Sequence, residues 1–142
     1  MKRFLILFLL LPLLAFAQDG LSVASLFDGP FSGNPKATET VMTGDRLKSY
    51  KLSSFHSLTL RDCPEQAATI ESLVAHDGAS AIDREVAYRD GGIYYAFYQL
   101  PSRGGLKRYL FYLNQHRNKG DRIVLIYIDG KADAKEIKKL LK

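Results

Sequence analysis

Residues 82–129 read IDREVAYRD-GGIYYAFYQL-PSRGGLKRYL-FYLNQHRNKG-DRIVLIYID, and this stretch decides the fold. Four runs rich in aromatic and β-branched residues, Ile82 to Arg89, Ile93 to Leu100, Leu106 to Gln115 and Arg122 to Asp129, are separated by three clusters of turn residues. Asp90-Gly91 suits a two-residue hairpin, because both residues tolerate the positive φ that such a turn requires. Ser102 to Gly105 and Asn118 to Gly120 would close the next two hairpins. Connections this short make neighbours antiparallel, since a parallel pair needs a crossover of a dozen or more residues. The expectation is a four-stranded C-terminal meander in chain order. A two-residue turn at Asp90-Gly91 and a four-residue turn at Ser102 to Gly105 divide the side chains between two faces. One holds Val86, Tyr88, Ile93, Tyr95 and Phe97 with Leu110, Tyr112, Leu125 and Tyr127. The other holds Tyr94, Ala96, Tyr98 and Leu100 with Tyr109, Phe111, Leu113, Val124, Ile126 and Ile128. A slip of one residue in either turn would move a strand's whole set to the opposite face.

Upstream, Thr38 to Thr43 and Phe55 to Arg61 read as two further strands, with a helical turn from Asp45 to Tyr50 between them. The clearest helix spans Pro64 to His76, with proline in its first turn, Glu65 near the positive end of its dipole and Gly78 just past its end. Ala67, Ile70, Leu73 and Val74 give it one apolar stripe that must pack on the sheet. A last helix starts at Asp133, where Glu136 completes a capping box and Ile137, Leu140 and Leu141 form the buried side. Leu21 to Phe27 suits a short helix ended by Asp28-Gly29-Pro30, inside an otherwise irregular segment from 18 to 36. The expected class is α+β: a mainly antiparallel sheet with that meander, one central helix and one C-terminal helix. Both faces of the sheet are apolar, and two helices of this size cover one of them well, leaving the other to the N-terminal segment, a partner or solvent.

The first seventeen residues have the three regions of a secretory signal peptide: Lys2 and Arg3, an apolar run from Phe4 to Leu14, and the small-any-small pattern Ala15-Phe16-Ala17. The run is shorter than the roughly 20 apolar residues that span a bilayer. Cleavage after Ala17 would expose Gln18 and export the protein to the periplasm or beyond, leaving no membrane span. Taking 17 residues from 142 leaves 125 for a single α+β domain, and losing Lys2 and Arg3 takes the formal charge from +5 to +3. That modest charge in an exported protein argues against nucleic acid as a partner. A lone cysteine excludes an internal disulfide framework, a four-cysteine zinc site and a cysteine-ligated iron-sulfur cluster.

No hydrolase elbow, phosphate loop, dinucleotide fingerprint or paired-histidine metal motif occurs. His56, His76 and His116 fall on three different elements, so no metal or cofactor is expected. Cys63 stands immediately before Pro64, at a helix start where the dipole favours a thiolate. A small thiol hydrolase centred on Cys63 would need a histidine within reach, and His56 is the one near it in sequence. Seven of the eight tyrosines lie from Tyr88 onward. Tyrosines suit half-buried strand positions, and they also stack on sugars or take up peptide side chains. Tyr94, Tyr98, Tyr109 and Arg108 are therefore the candidate binding residues.

Tyr50-Lys51-Leu52-Ser53 with Phe55-x-Ser57-Leu58-Thr59, then Tyr98-Gln99-Leu100-Pro101, then Leu125-Ile126-Tyr127-Ile128-Asp129-Gly130 before a terminal helix, make up a recurring pattern. It resembles that of a family of short exported proteins of unknown function, found chiefly in Gram-negative gut bacteria. The resemblance covers residues 38 to 142 and implies an envelope location and an α+β fold. It carries no active site. The expected function is a non-catalytic envelope protein that binds or scaffolds another protein or a glycan through a tyrosine-rich sheet face. The thiol hydrolase and a structural homodimer are the competing readings.

Overall fold

The computed structural model describes residues 20–117 and 120–141. The expected signal peptide, and Asn118 and Lys119 of the last turn, lie outside the described residues. Six strands form one sheet, antiparallel throughout: β1 (Ala37–Thr43), β2 (Leu52–Arg61), β3 (Asp83–Arg89), β4 (Gly92–Arg103), β5 (Leu106–Arg117) and β6 (Gly120–Gly130). Their spatial order is β1-β2-β6-β5-β4-β3. The architecture is thus α+β on a mainly antiparallel sheet. It differs from the expected arrangement in two ways. β1 and β2 join the same sheet through β6, making one six-stranded unit, and the described residues form three α-helices: α1 (Asp45–Lys48), α2 (Ala67–Gly78) and α3 (Ala134–Leu140). β6, with the apolar run Ile123 to Ile128, takes a central position between β2 and β5.

The segments before β1 and α2 form short 3-10 turns at Ser22–Leu26 and Pro64–Gln66. Asp77 explains how the first of these is held. Its buried carboxylate accepts the backbone N–H of Ser22 at 2.7 Å and of Val23 at 2.9 Å, fastening the N-terminal segment to the end of α2. Val23, Leu26 and Phe27 then join Ile70 and Val74 of α2 over one face of the sheet. The opposite face carries α1 and α3 through Leu47 and Ile137. The capping box at the start of α3 forms as the sequence indicates: Asp133 Oδ1 accepts the Glu136 N–H at 2.9 Å, and Glu136 Oε1 accepts the Asp133 N–H at 3.2 Å.

The division of the β4 side chains needs correction. β5 and β6 divide as expected, but Tyr95 and Phe97 lie with Tyr109, Phe111 and Leu113, while Ala96, Tyr98 and Leu100 lie with Leu110, Tyr112, Leu125 and Tyr127. Two bulges cause the exchange. Asp90 and Gly91 form the expected turn, both with positive φ, but Tyr88 pairs with Ile93 and Ala87 with Tyr95, so Tyr94 is an extra residue. At the other end, the turn is Gly104-Gly105 alone, also with both φ positive, since Arg103 pairs with Leu106. Leu100 pairs with Arg108, so Pro101 and Ser102 together face Lys107. Proline has no N–H to give to a ladder, and a bulge is where a strand tolerates one.

Candidate functional site

Three side chains that the sequence places on separate elements converge at the free edge of β1. The pairing of Val41 with His56 sets Glu39 diagonally across from His56 on the same face, within reach of a long side chain. His56 Nε2 lies 2.7 Å from Glu39 Oε2. A carboxylate only accepts, so the imidazole donates. Phe27 stacks on the His56 ring at 3.9 Å between centroids and, with the strand, keeps it 96% shielded from water. Asp28 follows Phe27 in a left-handed conformation at φ 58°, an uncommon one for a residue with a side chain. Its backbone N–H donates to Glu39 Oε2 at 2.9 Å, and its own carboxylate oxygen stands 4.0 Å from His56 Nε2. The three donor groups lie within 4.8 Å of one another. Asp28 and Glu39 also line a groove of about 610 Å³ between the loop at Gly29 to Asn34 and the face of β1. By sequence Asp28 only ends a short helix, and no local spacing links it to Glu39 or His56.

The four binding candidates do not share a surface. Tyr98 is buried in the layer under α2 and Tyr109 in the layer under α3, on opposite sides of the sheet. The Tyr109 hydroxyl donates to the Ala132 carbonyl at 2.8 Å. Burial pushes its pKa up to about 12, with the nearby Asp133 and Glu136 adding to the effect. Burial also raises that of Tyr98. Tyr94 is half-buried, with the Arg89 guanidinium 4.0 Å above its ring, in a small cavity shared with Asn114 and His116. Arg108 donates from Nε to the Pro101 carbonyl at 2.8 Å and lines a different groove beside His76 and Arg103.

Cys63 is buried in the core, its Sγ 3.3 Å from the Arg61 carbonyl oxygen. His56 lies five strand residues before Arg61, about 16 Å along an extended chain. His76 Nδ1 meets the Ser22 hydroxyl at 2.7 Å, and His116 Nδ1 meets Asp121 at 3.0 Å. Among the described residues, every histidine is engaged with a group other than the thiol.

The two sheet faces are unequally covered. Along β2 and β6 the positions under α2, such as Leu58, Leu60, Ile123, Leu125 and Tyr127, are buried; of the alternate positions, Phe55, Val124 and Ile126 keep a minor part of their surface in water, while Ile128 is buried. Leu113 and Tyr95 continue the partly exposed set across β5 and β4, since Val124 pairs with Leu113 and Leu113 with Tyr95. A cavity of about 400 Å³ lies there, lined by Tyr95, Phe111, Leu113 and Leu141 and edged by the Glu85–Lys138 ion pair. The cause is length. α1 and α3 have four and seven residues against the twelve of α2.

The chain matches the model of a family of unknown function, DUF6108, over residues 10–141, and so belongs to that family. No curated protein and no solved structure matches it. Among the described residues, no helix is long and apolar enough to cross a membrane.

Proposed function

We propose that this DUF6108 chain is an exported, non-catalytic binding module of the cell envelope, which receives an apolar segment of a protein partner on the half-covered sheet face. The observation that carries this reading is the alternation along β2 and β6, where one face is closed and the next residue over is partly open. Apolar side chains left partly in water beside one another, as Val124, Leu113 and Tyr95 are, suit contact with an apolar segment. Its lining favours a protein partner over a glycan. Tyr95, Leu113, Val124 and Ile126 offer apolar contact, and the charged groups at its edge, Glu85 and Lys138, are satisfied by each other. Sugar recognition would call for several orienting hydrogen-bond groups aimed into the site. The binding face therefore moves from the set Tyr94, Tyr98, Tyr109 and Arg108 to a set centred on Tyr95 and Leu113. Export rests on Lys2, Arg3, the apolar run to Leu14 and Ala15-Phe16-Ala17.

The test has two parts. Expression of the full chain in a Gram-negative host, followed by N-terminal sequencing of the envelope fraction, is expected to show a start at Gln18. Retention of an uncut N-terminus in the cytoplasm would sink the export reading. The exported protein, cross-linked from Tyr95 in intact envelopes, is expected to capture one defined partner that a Leu113→Lys variant of native secondary structure does not. Equal capture by the variant would remove the face from consideration. Light scattering that shows a dimer dissociated by Leu113→Lys would identify the partner as a second copy of the chain.

A further inference from the structure

We propose that Asp28, Glu39 and His56 form a binding site for a zinc-class divalent cation, with its remaining coordination position open to the groove beside β1. The inference is independent of the half-covered face. It rests on a convergence that only the fold produces: one donor from the loop after the first 3-10 turn, one from β1 and one from β2. In a tetrahedral zinc site with bonds of roughly 2.0–2.1 Å, neighbouring donor atoms stand about 3.3 Å apart. The His56–Glu39 separation of 2.7 Å is somewhat shorter and the His56–Asp28 separation of 4.0 Å somewhat longer. Binding would require the Asp28 side chain, which is 66% exposed, to turn toward His56 and Glu39 to part slightly from it.

Two of the three donors are already held in place by their neighbours. His56 is fixed in orientation by the Phe27 ring stacked on it, and Glu39 Oε2 is held by the Asp28 backbone N–H. The shielded imidazole selects the class of ion, because a nitrogen donor suits zinc and its neighbours rather than magnesium or calcium, which prefer oxygen alone. Three protein ligands with an open position toward solvent match the zinc sites that retain a water or accept a further ligand. The cation replaces the proton on His56 Nε2. A neutral ring then carries its proton on Nδ1, and a protonated ring releases one proton to water. Occupancy would tie the N-terminal segment to the sheet at Glu39 and His56, at the far end of the segment from the Asp77 attachment.

Isothermal titration of the tag-free full chain with zinc chloride is expected to give one site per chain. Asp28→Asn is expected to weaken it tenfold or more, and Glu39→Gln to abolish it. Nitrogen-15 spectra of the histidine rings should show zinc shifting His56 Nε2 and leaving His76 and His116 in place. A native chain that takes up no zinc overturns the proposal. So does an isotherm unchanged by both substitutions, which would assign the ion to exposed His76 or His116. Should Glu39→Gln fail to fold, Asp28→Asn carries the test, since the Asp28 side chain is largely exposed.

Discussion

Gly78 has no side chain because Tyr98 fills the place one would take. A Cβ built on Gly78 would fall within the Tyr98 ring, and both residues are buried. Overpacking of this kind typically costs about 1–3 kcal/mol, since the ring must leave its rotamer or α2 must rise from the sheet. Gly78→Ala is therefore expected to lower the stability measured by urea unfolding by about that amount. In a Tyr98→Leu background, which vacates the ring's place, alanine at 78 should cost markedly less. An equal cost in both backgrounds would contradict the contact. The sequence marks Gly78 well as a helix end, but it does not show what the glycine is for. The contact joins residues on different elements, and neither helical spacing nor strand alternation records it. For the same reason Tyr98 reads as a candidate binding residue until α2 is laid over it. The Asp28, Glu39 and His56 cluster was hidden likewise, with Glu39 and His56 brought together by a strand register and Asp28 by a loop that no motif describes.

Local chemistry is more legible at the scale of elements. Asp133 and Glu136 specify the start of α3 by themselves, because a capping box needs only four consecutive residues. Asp133→Ala should cost about 1 kcal/mol, the usual value of an N-cap, read in a urea midpoint shift. It should also loosen Ile137 over the α3 face, seen as faster amide exchange in residues 134–140. The same cap has a pH dependence. The hydrogen bond from Lys51, at 3.0 Å, and then that from the Asp133 backbone hold the Glu136 carboxyl below its ordinary value of 4.5. A carboxyl with a depressed pKa in the folded state stabilises the fold above its unfolded value, and that contribution is lost as pH falls through the folded value. The native chain should thus unfold at a higher temperature than Lys51→Met above pH 4.5, and that difference should shrink as pH falls, the two curves converging in acid. A gap between them that persists at low pH would place the effect in packing rather than ionisation. The Glu136 side chain is partly exposed, so the difference is small and shrinks with salt. β4 shows where element-level reading stops. Its identity, and its turn at Asp90-Gly91, follow from composition, but its faces depend on two bulges. Only Pro101, a residue that cannot donate to a ladder, signals one of them in the sequence.

Across the whole molecule, the unequal cover of the two faces is the property on which the binding proposal depends, and one strand allows it to be measured. Leu110 and Leu113 both stand on β5, on opposite sides of the sheet, Leu110 fully buried beneath α2 and Leu113 partly exposed. The residue type and the strand are the same, so the comparison isolates the cover. Truncating a fully buried leucine removes its transfer energy and leaves a cavity, at a cost of about 2–5 kcal/mol. At a partly exposed position some of the removed surface was already in water, and solvent reaches the space left behind. Leu110→Ala should therefore fall within that range, and Leu113→Ala should cost less than half as much in the isolated chain. The sequence anticipates that two helices leave one face short, yet not which face, because the N-terminal segment could have closed either. Asp77 decides it by fastening Ser22 and Val23 to the side that α2 already covers. If Leu113→Ala proved as costly as Leu110→Ala, the face under α3 would be closed in solution, and the proposed partner would have no surface to meet. If the difference holds, the same Leu113 truncation should weaken partner capture while leaving the chain folded, which separates a loss of binding from a loss of structure.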